Sequence, residues 1–569
     1  MKIDLCDSDW PLDVLPADML DRVSVTVRPL YVSLVSKLGE GRVDDIDWWV
    51  TSMAARNTYA CPLYKKLCQL MLVMEVHSST INVTEVVTDS KSLADLLQVL
   101  LGTSVKVSVK GRRVSNLKGF LYNFSSSLYH VVSQYVLSKL LLTKRSALPD
   151  SPVLLDIFFT ENSFDGGEIS DRYYPGLMAF LSDEQRKNVL YTPSYYRVRN
   201  YYKFYKKLNL YNEQVLLKEN VLTLSDYIFA LLHPFRLKWP CLQVDFQGVD
   251  VAELVKESLG KTFSNSSAVE GLLRYRFARR LKLNGVRPAR VIEWFENQEV
   301  DHGAVAGWRK YFPELEVIGY QGYLSSPHYL SSFPTAQEQE YSLLPTQVVV
   351  IGTNLVDKLK EFSPDLNVTV GPAYRFSSLW FEPEVSAKDK GLSVLVALPI
   401  HQKESSNIVK LLVAALGVND DREDYRFFVK PHPTWKRRDV DLLFLGVNIK
   451  YELLIGDFES ALAISDVVVS AASSTCSYAI ARGIPCIVVG FPGQLLENTI
   501  HEDADKRLWR ISYTPESLRQ ALGDYSQLTV EGKEVLRGVG STFKSEQFNP
   551  VTKNAVFEFL GFTDKELDS

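Results

Sequence analysis

Six cysteines are scattered through 569 residues, at positions 6, 61, 68, 241, 476 and 486, and no two form a CxxC pair. Neither a structural zinc site nor a disulfide framework is expected from that spacing, and a reducing compartment fits it. A large excess of charge of one sign is missing as well. The formal net charge is -5 and the pI is near 6.0, so no global cationic field exists to hold a nucleic-acid backbone. No window holds about 18 uncharged apolar residues, and the acidic start MKIDLCDSDWPLDVL lacks the basic and apolar regions of a signal peptide. A cytoplasmic protein is expected. There is no DxD at an α/β strand end and no cluster of His or Cys, so no metal is expected in catalysis. Internal repeats and low-complexity tracts are also absent.

What is present is the composition of a folded protein, 46% hydrophobic and 23% charged. The length favours two domains of roughly 200 to 300 residues over one. From Asp47 onward short apolar runs alternate with helical patterns, beginning with DWWVTS as a strand-like run and followed by the helical stretch Pro62 to Val76. EVVTDS reads as a buried strand, with Ser90 or Ser92 capping the next helix. PVLLDIFFT, RVIEW, LEVIGYQG and TQVVVIGTN are further strand candidates, and helices are expected near Phe120 to Leu142 and Ser267 to Lys282. The mixed proline and polar run between Ser331 and Leu344 is read as the crossing between an N-terminal domain, 1-340, and a C-terminal one, 341-569. Beyond it, GLSVLVALP, YRFFVKPHP, DVVVSAASS and PCIVVGFPG alternate with helices in the manner of a doubly wound parallel sheet.

Two motifs of the C-terminal half fall at strand ends. After DVVVS comes AASST and then a helix. The hydroxyls of Ser473, Ser474 and Thr475 and the free amides of that helix make an anion site, unless one serine is only an N-cap. After YRFFV comes KPHPTWK, where two prolines fix the backbone about His432, and Lys430 or Lys436 could add charge. An HP motif followed at this distance by a serine pair resembles the CMP-binding pair of bacterial sialyltransferases and capsule Kdo transferases, which are GT-B enzymes. The resemblance covers mainly Gly391 to Gly493. It implies two Rossmann-like domains facing across a cleft, with a terminal crossover helix around Val551 to Leu560. It also implies His432, Pro433, Ser473 and Ser474 as contacts to a nucleotide monophosphate, with Lys430 and Thr475 beside them. CDP-glycerol glycerophosphotransferases carry a similar, less selective pattern. The ENQ and GYQG motifs, Glu296 to Gln298 and Gly319 to Gly322, resemble those of surface-polysaccharide glycosyltransferases.

The catalytic carboxylate is expected in the N-terminal half. ENSFDGGEISDRYYPGL places Glu161, Asp165, Glu168 and Asp171 in one loop after a buried strand, and Glu296 follows the strand RVIEW. Sialyltransferases carry a D/E-D/E-G motif there; FDGG matches it in part, with Phe164 in the first acidic place. The basic run Arg274, Arg276, Arg279, Arg280, Lys282, Arg287 and Arg290 reads as a solvated helix face. Its alternative role is a patch for anionic acceptors or lipid phosphates, which would make the protein peripheral at the inner face of a membrane.

The function implied is transfer of Kdo or a sialic-acid-like sugar from a CMP-linked donor to a saccharide or lipid-linked glycan acceptor in bacterial surface polysaccharide biosynthesis. No cofactor other than the nucleotide-sugar donor, and no nucleic acid, is expected. The alternatives are a CDP-polyol phosphotransferase or NDP-sugar 2-epimerase of the same fold, and a non-catalytic glycan-binding subunit.

Overall fold

The computed structural model describes residues 1–6, 10–111, 116–143, 148–164, 169–239, 243–262, 265–381, 391–417, 425–447 and 449–562. Strands β1 (Lys2–Asp4), β2 (Glu85–Thr88) and β3 (Lys106–Val109) pair in parallel as a small sheet. β4 (Val153–Phe159) and β5 (Val189–Tyr195) follow, then a short hairpin of β6 (Asp245–Phe246) and β7 (Val249–Asp250). β8 (Arg290–Trp294), β9 (Val317–Gln321), β10 (Gln347–Val350) and β11 (Val368–Val370) join β4 and β5 in a six-stranded parallel sheet, ordered β11-β10-β9-β8-β4-β5. β12 (Leu392–Ala397), β13 (Tyr425–Lys430), β14 (Tyr451–Leu453), β15 (Val467–Ala471), β16 (Cys486–Val489) and β17 (Trp509–Ser512) make the second, ordered β14-β13-β12-β15-β16-β17.

Continuous apolar runs dictate this. LSVLVA, VVVSA and CIVV are buried along their whole length, which requires cover on both faces, and parallel strands supply it through their crossover helices. Counted within each sheet, strand order runs 2-1-3-4-5-6 in the first and 3-2-1-4-5-6 in the second. The order therefore reverses between β4 and β8 and between β12 and β15, and a crevice opens at the carboxyl ends of the strands at each reversal.

The architecture is two doubly wound parallel α/β domains, as expected, but its boundaries differ from those read in the sequence. β10 and β11 belong to the first sheet, so the chain changes sheets between Val370 and Leu392, not between Ser331 and Leu344. That proline and polar run is a buried crossover: Ser331, Ser332, Thr335 and Glu338 are all buried, and Thr335 caps the helix Ala336–Glu340. Residues 1–110 are not part of the six-stranded sheet either. They carry their own three strands and a separate core around Trp48, Trp49 and Tyr64. DWWVTS is not a strand; Ile46–Trp49 is one helical turn capped by Asp45. Ser90, rather than Ser92, caps the Lys91–Leu101 helix, accepting from the Leu93 amide at 3.1 Å.

After β17 the chain returns to the first domain. Asn549 donates to Ile351 O at 2.6 Å and accepts from the Ala373 amide at 3.0 Å. Arg290 Nη1 donates to the carbonyls of Glu558 and Phe559 at the end of the Lys553–Leu560 helix, at 2.8 and 2.9 Å. No helix among the described residues is long and apolar enough to cross a membrane.

Candidate functional site

In the second domain Lys430 and Ser470 are both level with Ala397, one on either side of β12. Two strand spacings of about 4.8 Å therefore separate the ends of β13 and β15 by roughly 10 Å. The loop holding His432 and the helix Ser474–Ala481 thus rise from nearly adjacent points. Ser473 occupies the N-cap position, but no side chain caps the helix; its hydroxyl bonds the Thr475 hydroxyl instead. Ser474 is exposed and Ser473 and Thr475 are half-buried. An uncapped N-terminus with hydroxyls beside it is the arrangement an anion needs.

His432 is held by its own loop. Its Nδ1 accepts from the Thr434 amide at 3.3 Å and lies 2.8 Å from the Thr434 hydroxyl. The Nε2 of the neutral ring therefore carries the proton. Burial, with the nearby His401 adding to it, holds this imidazole below its ordinary value. Pro433 is exposed. Lys430 donates to Gly456 O at 2.6 Å and so leans toward β14.

The end of β12 carries two residues that motif reading passed over. His401 precedes the helix Gln402–Leu416 and Glu404 lies in its first turn. Burial raises the Glu404 carboxyl, with His401 lowering it and Glu497 raising it further. The available signal was a histidine just after Pro399 at the end of an apolar strand.

In the first domain Glu296 stands beyond the end of β8, at the reversal point, half-buried. Trp294 Nε1 donates to its Oε1 at 2.8 Å, while Gln298 Nε2 and the Tyr329 hydroxyl donate to Oε2 at 2.5 and 2.9 Å. Asp301 Oδ2 accepts the amides of Glu296 and Gln298 at 3.0 and 2.9 Å, fixing the backbone on both sides of Asn297. Asn297 has φ +55° and is fully buried.

Tyr59 links the two domains. Its hydroxyl donates to Glu497 at 3.3 Å and its ring lies 4.9 Å from that of Tyr329. The side chain is 66% exposed, so this contact lies at the surface where the domains meet. An interdomain cavity of about 350 Å³ is lined in part by Tyr323, Lys358 and His501. A second cavity of about 300 Å³ opens at the end of β5 among Phe158, Tyr195, Tyr201, His130, Gln134 and Glu270. Phe158 packs 6.2 Å from Tyr173, whose ring lies 4.6 Å from Trp294.

The other acids expected at the site do different work. Asp171 accepts the amides of Tyr173 and Tyr174 at 2.8 and 2.9 Å and the Tyr191 hydroxyl at 2.9 Å, and so clamps its loop. Burial raises its carboxyl. Glu161 accepts the amides of Arg199 and Asn200, both at 2.7 Å. Asp165 and Glu168 lie outside the described residues. Phe164 is a core residue, stacked 5.4 Å from Tyr211, which accounts for an aromatic in the first acidic place. The basic run is not one solvated face. Arg274 is buried between Asp156 and Glu293, at 2.6 and 3.1 Å, Arg280 pairs with Asp226 at 2.7 Å, and Arg276 lies 3.7 Å from the Phe229 ring centre.

No protein-family model and no curated protein sequence matches the chain. Among solved structures, it is similar to MnaA of S. aureus with UDP, at 12% identity and TM-score 0.40 over 72% of this chain and 95% of that one. CalG4, the calicheamicin glycosyltransferase, gives 11% identity and TM-score 0.40 over 73% and 100%. MurG of Acinetobacter baumannii gives 13% identity and TM-score 0.40 over 72% and 99%.

Proposed function

We propose that the protein transfers a glycosyl group from a nucleotide-linked sugar to a saccharide hydroxyl. One observation carries this reading: Tyr59 bridges the two domains, its hydroxyl donating to Glu497 of the second and its ring lying 4.9 Å from Tyr329, which donates to Glu296 of the first. Glu296 is a carboxylate held by three donors, and the second domain carries an uncapped helix end at Ser473 with the His432 loop two strand spacings away. The donor phosphate sits on the Ser473, Ser474 and Thr475 turn, with His432 Nε2 donating to it. Glu404 and Glu497 accept sugar hydroxyls of the donor. The acceptor lies toward the β5 cavity, where Tyr195 and Tyr201 offer flat apolar faces and Gln134 and Glu270 offer polar atoms.

In the transfer, the acceptor hydroxyl loses its proton to Glu296 and its oxygen bonds to the anomeric carbon. The bond from that carbon to the phosphate oxygen breaks, and the electron pair leaves on the phosphate. Three donors already occupy lone pairs of Glu296, two of them on Oε2, so the proton arrives at Oε1. No step is assigned to a metal ion. The HP and serine motifs support a CMP-linked donor carrying Kdo or a related acidic sugar, used in surface polysaccharide assembly. Thermal melting with CMP, CDP, UDP, GDP and dTDP tests this: a ligand that binds only the native state raises the melting temperature. CMP is expected to give the largest rise. A larger rise with CDP or UDP turns the reading to another donor, and no rise with any of the five overturns it.

A further inference from the structure

The 26-residue helix Asn116–Leu141 is exposed on the outside of the first domain. Between Lys118 and Leu140 its exposed positions are Lys118, Leu121, Tyr122, Ser125, Leu128, Tyr129, Val132, Val136, Lys139 and Leu140. At about 100° per residue these ten positions fall within an arc of roughly 120°. Seven are large apolar or aromatic residues, with exposures from 40% at Leu128 to 77% at Tyr122. Phe235, 67% exposed, extends the surface, its ring lying edge-on 5.9 Å from Phe124. The opposite face, Ser127, Val131 and Gln134, is buried and lines the β5 cavity.

Charge decides what such a face fits. Between Asp95 and Asp150 the sequence has no acidic residue and eight Lys or Arg. On the helix itself the only formally charged exposed residues are Lys118 and Lys139, and the neighbouring Tyr201–Leu208 helix adds Lys203, Lys206 and Lys207. A second copy of the chain would bring this basic rim against its own like charge. An anionic bilayer instead takes the leucines, valines and tyrosines at its headgroup boundary and the lysines at its phosphates. We infer that the outer face of the Asn116–Leu141 helix docks this protein on an anionic membrane surface. The helix lies in the plane of the surface, so a cavity behind it sits close to lipid-borne material. This inference stands on the helix face alone and does not depend on the glycosyl-transfer reading.

The test is cosedimentation of the full chain with vesicles of phosphatidylcholine alone or with about one quarter phosphatidylglycerol. The wild type is expected to bind the anionic vesicles at least about tenfold more strongly than the neutral ones, and less at high salt. The double variant Val132→Ser, Val136→Ser alters two exposed side chains, so its melting temperature stays put while its binding falls by about tenfold. Equal binding to both vesicles, no binding, or unchanged binding of the double variant overturns the inference. So does a dimer in sedimentation velocity that the double variant abolishes, which would make the face a protein interface. Binding of CMP is measured in parallel; its loss or absence bears on the transfer reading, not on this one.

Discussion

Asn297 donates from its carboxamide to Glu338 Oε1 at 3.2 Å, in the interior of the first domain. Glu338 also accepts from Arg56 at 2.9 Å, and His302 Nε2 lies 2.8 Å from it. The other nitrogen of His302 faces the Trp49 carbonyl at 2.7 Å. Asn297 adopts a left-handed conformation that an Asn tolerates better than most residues. The buried anchor fixes the backbone between Glu296 and Gln298, which are both half-buried. The ENQ motif thus combines a hydrogen-bonded carboxylate with the pin that holds it.

Replacing Glu296 with Gln is expected to lower turnover by roughly two to four orders of magnitude, since the base is lost and the shape kept. Nucleotide affinity should not move, because the proposed donor pocket lies in the other domain, while the melting temperature should fall modestly, since a carboxamide nitrogen cannot accept the bonds one carboxylate oxygen takes. Steady-state kinetics beside calorimetric nucleotide binding separates the two. Wild-type turnover in this variant would place the base elsewhere.

His432→Ala is expected to weaken donor binding by about 1.5 to 3 kcal/mol, the scale of a hydrogen bond to a charged group. The Ser473→Ala, Ser474→Ala double variant should act on the same step. Burial and His401 hold the His432 imidazole down, so it is neutral at pH 7 and gains charge only below about 6.5. Positive charge beside a phosphate favours binding. Affinity should therefore rise as pH falls below that range, and rise less in His432→Ala. A titration of nucleotide affinity between pH 5 and 8 checks this.

The Glu338 cluster predicts acid sensitivity. Burial alone would raise this carboxyl, but Arg56 and His302 outweigh it and hold it at about 2. The folded value lies below the ordinary one, so the stability it contributes is complete above about 4.5 and is lost as pH falls toward about 2. At pH 7, Glu338→Gln should cost about 3 to 5 kcal/mol, because Arg56 is left buried without its counter-charge. The gap from wild type in urea denaturation should shrink as pH is lowered from 7 to 3. A gap independent of pH would show that the carboxylate charge is not what stabilises.

Gly303→Ala should destabilise the fold by about 1 to 3 kcal/mol or more through overpacking. An added Cβ would lie 2.0 Å from the Gly271 carbonyl, where the helices Ser266–Leu283 and Glu299–Tyr311 touch backbone to backbone. The second of these helices carries Asp301, so turnover should fall along with the melting temperature. Both are read on the same purified variant.

Much of the frame is written in local pattern. Largely apolar runs of four to seven residues, rich in β-branched side chains and ending in small or polar turns, fit buried parallel strands, and so VLLDIFF, RVIEW, LSVLVA, VVVSA and CIVV were legible one by one. The helix after Ser473 and the loop about His432 were legible for the same reason. Sequence could not give strand order. That β13 and β15 flank β12, which brings His401 between the two motifs, follows from how the crossover helices pack over the sheets, a sum of contacts between residues far apart in the chain. Nor could composition distinguish a polar linker from a polar interior. Ser331, Thr335 and Glu338 have the residue types of an exposed crossing, yet they are buried because Arg56 and His302, 282 and 36 positions away from Glu338, satisfy its charge there. Asp171 and Glu296 looked alike as loop acids; tertiary structure gave one to backbone amides and the other to the side chains of Trp294, Gln298 and Tyr329.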